Sequence, residues 1–464
     1  MYDFSAGSES VRVGLPPASL FRLPPHRAPD ALPPPQLAEP TWYQPFNISA
    51  SVYGKALDWR VPIAIASVYA TTVVLLNRVN ARRGFKPYAF SKTKAFKFFV
   101  IVHNVFLAIY STWTFVGMLR AFRASWPRQD EPHGLTAVVD TMCRFNGPHG
   151  YGNAAMYNPE TLQWTNANPA LLAEGAAPSD ESGRMWNEGL AYLGWLFYLS
   201  KFYEVLDTAI ILAKGKKSST LQTYHHAGAM MCMWSGIRYM ASPIWIFTQV
   251  NSGIHALMYT YYTLSALNFR VPTSIKRSLT TMQILQFVFG SMLAASYLFV
   301  YYTIPFPREL QSLSGAAHIA SSAVETGVAT ASAGKLFSGL KQIALRAVGS
   351  TVTKTVNAQQ PLGAGALNAV AEALPVDVDY RMFTCLDTTG QAFGVWLNVM
   401  YLLPLTYLFV QFFIRSYLYR KDPGTHLPTP IHAAEKAGMD AIKGVSREMH
   451  KTVSDMGDQR NGRA

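Results

Sequence analysis

The chain has 464 residues, of which 50% are hydrophobic and 14% are charged, and its formal net charge is +13. An average soluble domain has about 25% charged residues, so this composition argues against a soluble protein and favours one built into a membrane. A basic chain can also bind nucleic acid, but no soluble stretch interleaves Lys and Arg with aromatic residues. The positive charges lie beside apolar runs instead, where signals for membrane orientation are expected.

Residues 1–57 are rich in proline and lack the apolar core of a signal peptide. This composition predicts a disordered tail. The tail contains the sequon Asn47-Ile48-Ser49, which would receive a glycan if this segment is lumenal. Residues 417–464 are polar and charged, and they predict a second, loosely ordered tail on the other side of the membrane.

Residues 58–416 contain seven apolar runs that are long enough to cross a bilayer, which takes about 20 helical residues. The runs lie near residues 61–79, 98–119, 189–213, 220–238, 244–266, 279–302 and 391–414. We therefore predict an all-α membrane protein whose core is a bundle of seven transmembrane helices.

The orientation follows from Lys and Arg, which cluster after spans one, three, five and seven, whereas the turn between spans four and five carries only Arg238. This alternation predicts a lumenal N-terminus and a cytosolic C-terminus. Cys143 and Cys385 then both fall in lumenal connections, an oxidising space, so we predict that they form a disulfide; two unrelated thiols are the alternative.

The connection at about residues 303–390 is unusually long and consists largely of Ala, Ser, Gly and Thr. Leu336, Leu340, Ile343 and Ala347 recur at helical spacing within it. This spacing is compatible with an amphipathic helix on the membrane surface, and a solvated loop is the alternative. No chemistry is predicted for this insertion.

Four consecutive spans each carry a stripe of polar residues at helical spacing. The stripes are Lys201, Glu204, Asp207 and Thr208; Gln222, His225 and His226; Asn251, His255, Met258, Tyr259 and Tyr262; and Gln283 with Gln286. Because ionisable groups are unfavourable in hydrocarbon, we expect the four stripes to face one shared cavity.

Each stripe also has a plainer interpretation. A single Gln or Tyr within a membrane often only joins two helices, and the charged residues of span three could form a purely structural network. The adjacent pair His225 and His226, with His255 on the next span, indicates a functional site, because imidazole acts as base, nucleophile or metal ligand near neutral pH. A two-metal site would need more histidines than His103 and these three, so no metal site is predicted.

Four motifs in order carry a family resemblance: K-F-Y-E-V-L-D-T (201–208), Q-T-Y-H-H (222–226), N-S-G-I-H-A-L-M-Y-T-Y-Y (251–262) and T-T-M-Q-I-L-Q-F (280–287). They resemble the motifs of the ELO fatty acid elongases. The long insertion and the Gln in the second motif look most like the elongases of filamentous fungi. The similarity covers about residues 55–302 and the last span.

The resemblance implies a multi-pass enzyme of the endoplasmic reticulum whose bundle encloses a tunnel for an acyl chain. It would condense a long-chain acyl-CoA with malonyl-CoA to give 3-oxoacyl-CoA, CoA and carbon dioxide. It would hold no bound cofactor and would work with the reductases and dehydratase of the elongation cycle, either alone or as a homo-oligomer. A seven-helix transporter or receptor, and a di-iron lipid oxidase with histidine boxes, are the alternative classes.

The resemblance also implies residue roles. His225 would carry the acyl group, with His255 opposite, while His226, Asn251 and Tyr259 orient the imidazoles and stabilise negative charge. Gln222 stands where many elongases have His, so it would position its neighbours rather than move a proton. Supporting residues would be Lys201, Glu204, Asp207, Tyr262 and Gln283. The residues that either hold CoA phosphates or only set the orientation are Lys214, Lys216, Lys217, Arg270, Lys276 and Arg277.

Overall fold

The computed structural model describes residues 2–6, 9–127, 134–167, 177–178, 183–307 and 378–418. Each of the seven predicted spans is helical. The helices are α1 (Ala50–Ala56), α2 (Arg60–Arg82), α3 (Lys94–Ser125), α4 (Gly134–Cys143), α5 (Trp195–Tyr203), α6 (Val205–Ala213), α7 (Thr220–Arg238), α8 (Ile244–Ile246), α9 (Ser252–Ala266), α10 (Thr273–Ser296) and α11 (Thr389–Phe413). The segment 336–347 and nearly all of the C-terminal tail lie outside the described residues.

Among the described residues, four helical stretches are long and apolar enough to cross a membrane: Arg60–Arg82, Lys94–Ser125, Thr273–Ser296 and Thr389–Tyr417. The protein is therefore a mostly helical, multi-pass membrane protein. The third and fifth predicted spans are interrupted instead: a π-helical segment (Trp186–Gly194) precedes α5 and α6, and another (Phe247–Asn251) separates α8 from α9. The count of seven spans stays a prediction.

The all-α prediction is wrong for the connections at one end of the bundle. There β1 (Tyr2–Ala6), β2 (Glu9–Val13), β5 (Val300–Pro307) and β6 (Val378–Thr384) form an antiparallel sheet in that order. A separate hairpin pairs β3 (Ala155–Asn158) with β4 (Gln163–Asn166). The sixth span ends before β5 because β-branched and aromatic residues favour extended backbone and because prolines at 305 and 307 disfavour a helix.

The proline-rich N-terminal segment was predicted to be disordered, and its described part packs on the bundle instead. Proline has no backbone N–H, so a proline-rich segment makes few backbone hydrogen bonds of its own and leaves carbonyl groups free to accept them from the bundle. Arg238 donates from Nη1 to the carbonyl oxygen of Pro29 (2.8 Å), and Trp186 donates from Nε1 to that of Leu32 (2.9 Å). Trp186 begins the π-helical segment and Arg238 ends α7. Both lie at the sheet end of the bundle, so the proline-rich segment covers that end.

A cluster of buried charges, here called the polar clasp, ties this end together. It consists of Asp140, Arg144, Arg184, Tyr302 and Asp387. Arg184 lies 2.6 Å from one Asp140 oxygen, and the hydroxyl of Tyr302 donates to the other (2.8 Å). Arg144 pairs with Asp387 and donates from Nε to Tyr302 (2.6 Å). Burial opposes the charge of Arg144, but Asp387 and Tyr302 outweigh it and raise the pKa of Arg144 above its ordinary value.

A disulfide lies beside the polar clasp. It joins Cys143 to Cys385, whose Cα atoms are 4.8 Å apart and which are separated by 242 positions in the chain. It therefore links the end of α4 to the residues between β6 and α11.

The opposite end of the bundle is fastened by asparagines of α2. Asn80 donates to the carbonyl oxygens of Leu212 (2.9 Å) and Lys216 (3.2 Å), and Asn77 donates to that of Ser218 (3.0 Å). The largest apolar core, which contains Trp186 and Tyr198, lies toward the sheet end. The polar stripes of the predicted site therefore occupy the half of the bundle nearer the asparagines.

Candidate active site

A buried ion pair lies at the junction of α5 and α6. Lys201 is 3% exposed and Glu204 is 2% exposed, and Lys201 Nζ lies 2.7 Å from Glu204 Oε1. Lys201 also approaches Asn251 Oδ1 of the second π segment (3.4 Å), and Ser200 donates to the same Glu204 oxygen (3.1 Å). The second carboxylate oxygen of Glu204 is buried and has no hydrogen-bond partner among the described residues. A charged pair in this setting is stable only because its members face each other closely.

His255 joins this pair from α9. Its Nδ1 lies 3.8 Å from Glu204 Oε1, and its ring packs edge-on against that of Tyr259, with centroids 5.6 Å apart. Both side chains are buried. Glu204 therefore connects a cation on α5 with an imidazole on α9, as the stripes predicted.

Gln222 and His226 form a second connection, from α7. Ser219 caps this helix by accepting a hydrogen bond from the backbone N–H of Gln222 (3.1 Å). One helical turn along, the amide nitrogen of Gln222 lies 2.8 Å from Nε2 of His226, so the amide donates and this imidazole nitrogen accepts. Thr208 of α6 lies 3.5 Å from the same amide nitrogen and 2.9 Å from the hydroxyl of Tyr69 on α2.

His225 is half-buried and faces α11 rather than α9. Its Nδ1 lies 3.1 Å from the hydroxyl of Tyr401, which also donates to the backbone oxygen of His225 (2.8 Å). Gly228 makes this approach possible, since a Cβ atom at that position would overlap the ring of Tyr401. The centroids of the His225 and His226 rings lie 5.4 Å apart.

A third group surrounds Asp207. His103 of α3 lies 2.9 Å from one carboxylate oxygen, and Tyr259 of α9 donates to the other (2.6 Å). The hydroxyl of Tyr203 lies 3.3 Å from the remaining ring nitrogen of His103. The Asp207 group therefore joins α3, α6 and α9 through side chains, next to the imidazole of His255.

The sequence missed three residues of this site: Tyr69, His103 and Tyr401. Each lies on a helix outside the four striped spans. An ionisable residue inside the second span was a signal that could have identified His103. A tyrosine in an apolar helix is so common that Tyr69 and Tyr401 carried no comparable signal.

Other predicted residues lie apart from the histidines. Tyr262 packs on Tyr259, with ring centroids 5.9 Å apart, and Gln283 donates to the sulfur of Met258 (3.4 Å). Asn47 is exposed, and its amide nitrogen donates to the carbonyl oxygen of Leu37 (2.8 Å).

The basic residues follow the ends of α6 and α9 or lie in the first turns of α10, at the end opposite the sheet. Arg270 is exposed, and Lys217 is half-buried. Lys276 and Arg277 lie over the rings of Tyr261 and Phe413. Burial lowers the pKa of Lys214, and the like charge of Lys216 lowers it further.

Within the described part of the chain, no three His, Cys, Asp or Glu side chains converge as the ligands of a metal ion do. The chemical groups that the bundle does bring together are imidazoles, a carboxylate, an ammonium and an amide, all in a largely apolar surrounding. Such groups can supply a nucleophile and can stabilise an oxyanion where water is scarce.

Comparisons with known proteins identify a family. The family model described as ELO: GNS1/SUR4 family matches residues 56–425. The chain is 33% identical over 108 residues to very long chain fatty acid elongase 3 of Homo sapiens, covering 23% of this chain and 40% of that protein. It is 33% identical over 108 residues to fatty acid elongase 2 of Trypanosoma brucei brucei, with coverage of 23% and 40%. It is 27% identical over 183 residues to long chain fatty acid elongase 1 of Caenorhabditis elegans, with coverage of 38% and 60%. The matches therefore span 40–60% of these relatives' own lengths.

Proposed function

This chain belongs to the ELO (GNS1/SUR4) family of fatty acid elongases, and from that premise we propose that it catalyses the condensing step of elongation. The substrates are a long-chain acyl-CoA and malonyl-CoA. The products are a 3-oxoacyl-CoA longer by two carbons, CoA and carbon dioxide. The observation that carries this proposal is the adjacent imidazole pair His225 and His226 on α7, a helix that packs against α5 with its buried Lys201.

In the first half-reaction His225 attacks the thioester carbonyl carbon. A C–N bond forms as the C–S bond breaks, and the sulfur leaves as CoA thiolate, which takes up the proton that the acylated imidazole ring loses. The acyl group is then held as an acyl-imidazole, as covalent catalysis requires. The apolar interior around α7 limits competition from water.

In the second half-reaction malonyl-CoA loses carbon dioxide, and the electron pair of the broken C–C bond becomes an enolate. The enolate carbon attacks the acyl-imidazole, a C–C bond forms, and the C–N bond to His225 breaks as the ring takes up a proton from water. Negative charge develops first on the thioester oxygen of the enolate and then on the carbonyl oxygen of the acyl group. Lys201 is paired with Glu204 and also donates to the amide oxygen of Asn251. The ammonium of Lys201 and the amide N–H groups of Asn251 are donors of the kind that would stabilise such charge.

The remaining residues support this scheme. His255 and Tyr259 both lie on α9 with their rings in contact, and Gln222 holds His226 in place through a hydrogen bond. Lys214, Lys217 and Arg270 follow the ends of α6 and α9, where their charges suit the phosphates of CoA. The polar half of the bundle lies between these cations and the apolar core. We expect the acyl chain to extend from the polar half into the apolar core.

We place the protein in the endoplasmic reticulum membrane, with the sheet end in the lumen and the basic connections in the cytosol. The disulfide at the sheet end and the alternation of basic connections support this orientation. The 3-oxoacyl product requires reduction, dehydration and a second reduction, so reductases and a dehydratase are its expected partners. No bound cofactor is needed for the condensation itself.

The proposal is tested with purified protein in lipid nanodiscs, supplied with acyl-CoA and labelled malonyl-CoA. We expect 3-oxoacyl-CoA, detected by mass spectrometry, and at least a thousandfold loss of its formation in His225→Ala, because removal of a covalent nucleophile removes the pathway. His26→Ala is the matched control, since this histidine is exposed and outside the site. Movement of substrate across the membrane of proteoliposomes without malonyl-CoA consumption would point to a transporter, and full activity of His225→Ala in nanodiscs would contradict the assigned nucleophile.

A further inference from the structure

The hydroxyl group of Tyr401 makes two contacts with one residue. It lies 2.8 Å from the backbone oxygen of His225 and 3.1 Å from Nδ1 of the same residue's ring. Tyr401 comes from α11, whereas His225 lies on α7. A single hydroxyl on the last helix therefore contacts both the main chain and the side chain of the predicted nucleophile.

Counting protons at this hydroxyl fixes the protonation of the ring. A phenol has one proton to donate, and a carbonyl oxygen can only accept. With the hydroxyl proton directed to the carbonyl of His225, its lone pair must accept from Nδ1, so Nδ1 carries the proton. We propose that Tyr401 is a positioning residue that holds neutral His225 as the Nδ1–H tautomer and leaves Nε2 as the nucleophilic nitrogen.

The neighbouring His226 differs from His225 because its Nε2 has a hydrogen-bond donor. The amide of Gln222 donates to Nε2 of His226 at 2.8 Å, so the lone pair of that nitrogen is already engaged. Nε2 of His225 has no hydrogen-bond partner among the residues that the structure describes. Of two adjacent imidazoles, only His225 therefore presents an unprotonated and unengaged nitrogen. This inference rests on the proposed acyl transfer and names the atom that performs it.

Two further contacts hold Tyr401 in this position. Gly228 lies one helical turn after His225, and its missing side chain leaves the space that the Tyr401 ring fills. The hydroxyl of Tyr224 donates to the backbone oxygen of Tyr401 (3.2 Å), and the two rings lie 5.4 Å apart. The tyrosine is therefore held by packing on both sides, as a group must be if it is to set a tautomer.

The decisive variant is Tyr401→Phe, which removes one oxygen atom and keeps the ring. Tyr407→Phe is the matched control, because it removes an exposed hydroxyl from the same helix that contacts Gln411 and not His225. Both proteins are labelled with 15N-histidine in nanodiscs, and the signals of His225 are identified by their loss in His225→Ala. In the wild type and in Tyr407→Phe we expect the protonated shift at Nδ1 and the unprotonated shift at Nε2. In Tyr401→Phe we expect both shifts to move toward the average of exchanging tautomers.

A kinetic measurement accompanies the spectra. Acyl-CoA alone is mixed with the protein, and the acyl-histidine adduct is followed by rapid quenching and mass spectrometry. We expect the adduct to form at least about tenfold more slowly in Tyr401→Phe, and at the wild-type rate in Tyr407→Phe, since an incorrect tautomer removes the reactive lone pair.

A wild-type spectrum with the proton on Nε2, or a Tyr401→Phe spectrum that still shows it fully on Nδ1, would overturn the assignment. The spectra do not depend on turnover. A tautomer that depends on Tyr401 in a protein that forms no acyl adduct would therefore contradict the proposed function while leaving the assignment of the tautomer in place.

Discussion

Two regions of this protein bury ionisable side chains, and they treat their hydrogen bonds differently. In the polar clasp, Arg184 donates to Asp140 and to the carbonyl oxygens of residues 140, 144, 148 and 150, and both oxygens of Asp140 have partners. In the histidine site, one oxygen of Glu204 is buried without a partner, and Nε2 of His225 has none among the described residues. Both regions bury charged groups, but only in the histidine site do polar atoms named here lack a hydrogen-bond partner among the described residues.

The difference separates a structural role from a reactive one. A buried polar group without a partner is unfavourable, so a fully paired network stabilises one arrangement of the chain. An incompletely paired network can instead bind the groups that a substrate brings. The clasp therefore explains how the sheet end is held together, and the histidine site offers the open positions that chemistry needs.

The largest effect is expected when the clasp is broken. Arg184→Met leaves the carboxylate of Asp140 buried without its cation, and we expect a loss of about 3–5 kcal/mol in stability, because breaking a buried pair leaves an uncompensated charge. Heat-induced unfolding in detergent measures this change. Arg381→Met is the matched control, since Arg381 pairs with Asp379 at the exposed edge of the sheet and should contribute less than about 1 kcal/mol. Equal effects of the two variants would contradict the structural role of the clasp.

The second largest effect is expected at the pair Lys201 and Glu204, where activity and stability should respond differently. The double variant Lys201→Met with Glu204→Leu replaces both members of the pair by apolar residues of similar size. Such replacements are often neutral or stabilising, so we expect the melting temperature to be kept. We expect condensation to fall by about a hundredfold or more, because the donors that stabilise developing charge are removed.

The corresponding control in the clasp is Arg144→Met with Asp387→Leu. This change removes the donor to the carbonyl oxygen of Thr384 and one of the two partners of the Tyr302 hydroxyl. It should lower the melting temperature, unlike the change at Lys201 and Glu204. A site variant that unfolded as readily as the clasp variant would show that the site pair is structural as well.

The smallest effect concerns Gln222. In Gln222→Ala the lone pair of His226 at Nε2 loses its donor, and we expect condensation to fall by about tenfold, the effect of one lost hydrogen bond of about 1.4 kcal/mol. Gln222→His should recover most of the rate, because an imidazole N–H can donate in place of the amide. Steady-state rates of 3-oxoacyl-CoA formation measure both. No recovery in Gln222→His would indicate that the length or shape of the glutamine matters more than its donor.

The helices and the stripes within them were predictable because each depends on a short range of sequence. Hydropathy identifies an apolar run, and a spacing of three or four places His226 above Gln222 on one helical face. The partner of a stripe on another helix depends on packing, which spacing does not encode. Tyr401 and His103 were missed for that reason, although each contacts a residue that the sequence had singled out.

The prediction missed the strands for a different reason. β5 pairs with β2 and β6, which both lie far from it in the chain, whereas β2 pairs with the neighbouring β1 and with the distant β5. β5 therefore has no neighbouring partner strand that would have identified it locally, and the pair of β1 and β2 lies in a segment that was interpreted from its proline content. Residues 300–302 were assigned to the end of the sixth span, since Val300 and Tyr301 continue its apolar run.

The sheet and its disulfide also determine when this end of the protein can close during synthesis. Val11 pairs with Tyr302, and Cys143 bonds to a cysteine that follows β6. The ribosome must therefore make most of the membrane domain before the pairing of β2 with β5 or the disulfide can form. Until then β2 lacks its partner strand β5 and Cys143 lacks Cys385, so a truncated product that stops before β5 would leave this end exposed to quality control.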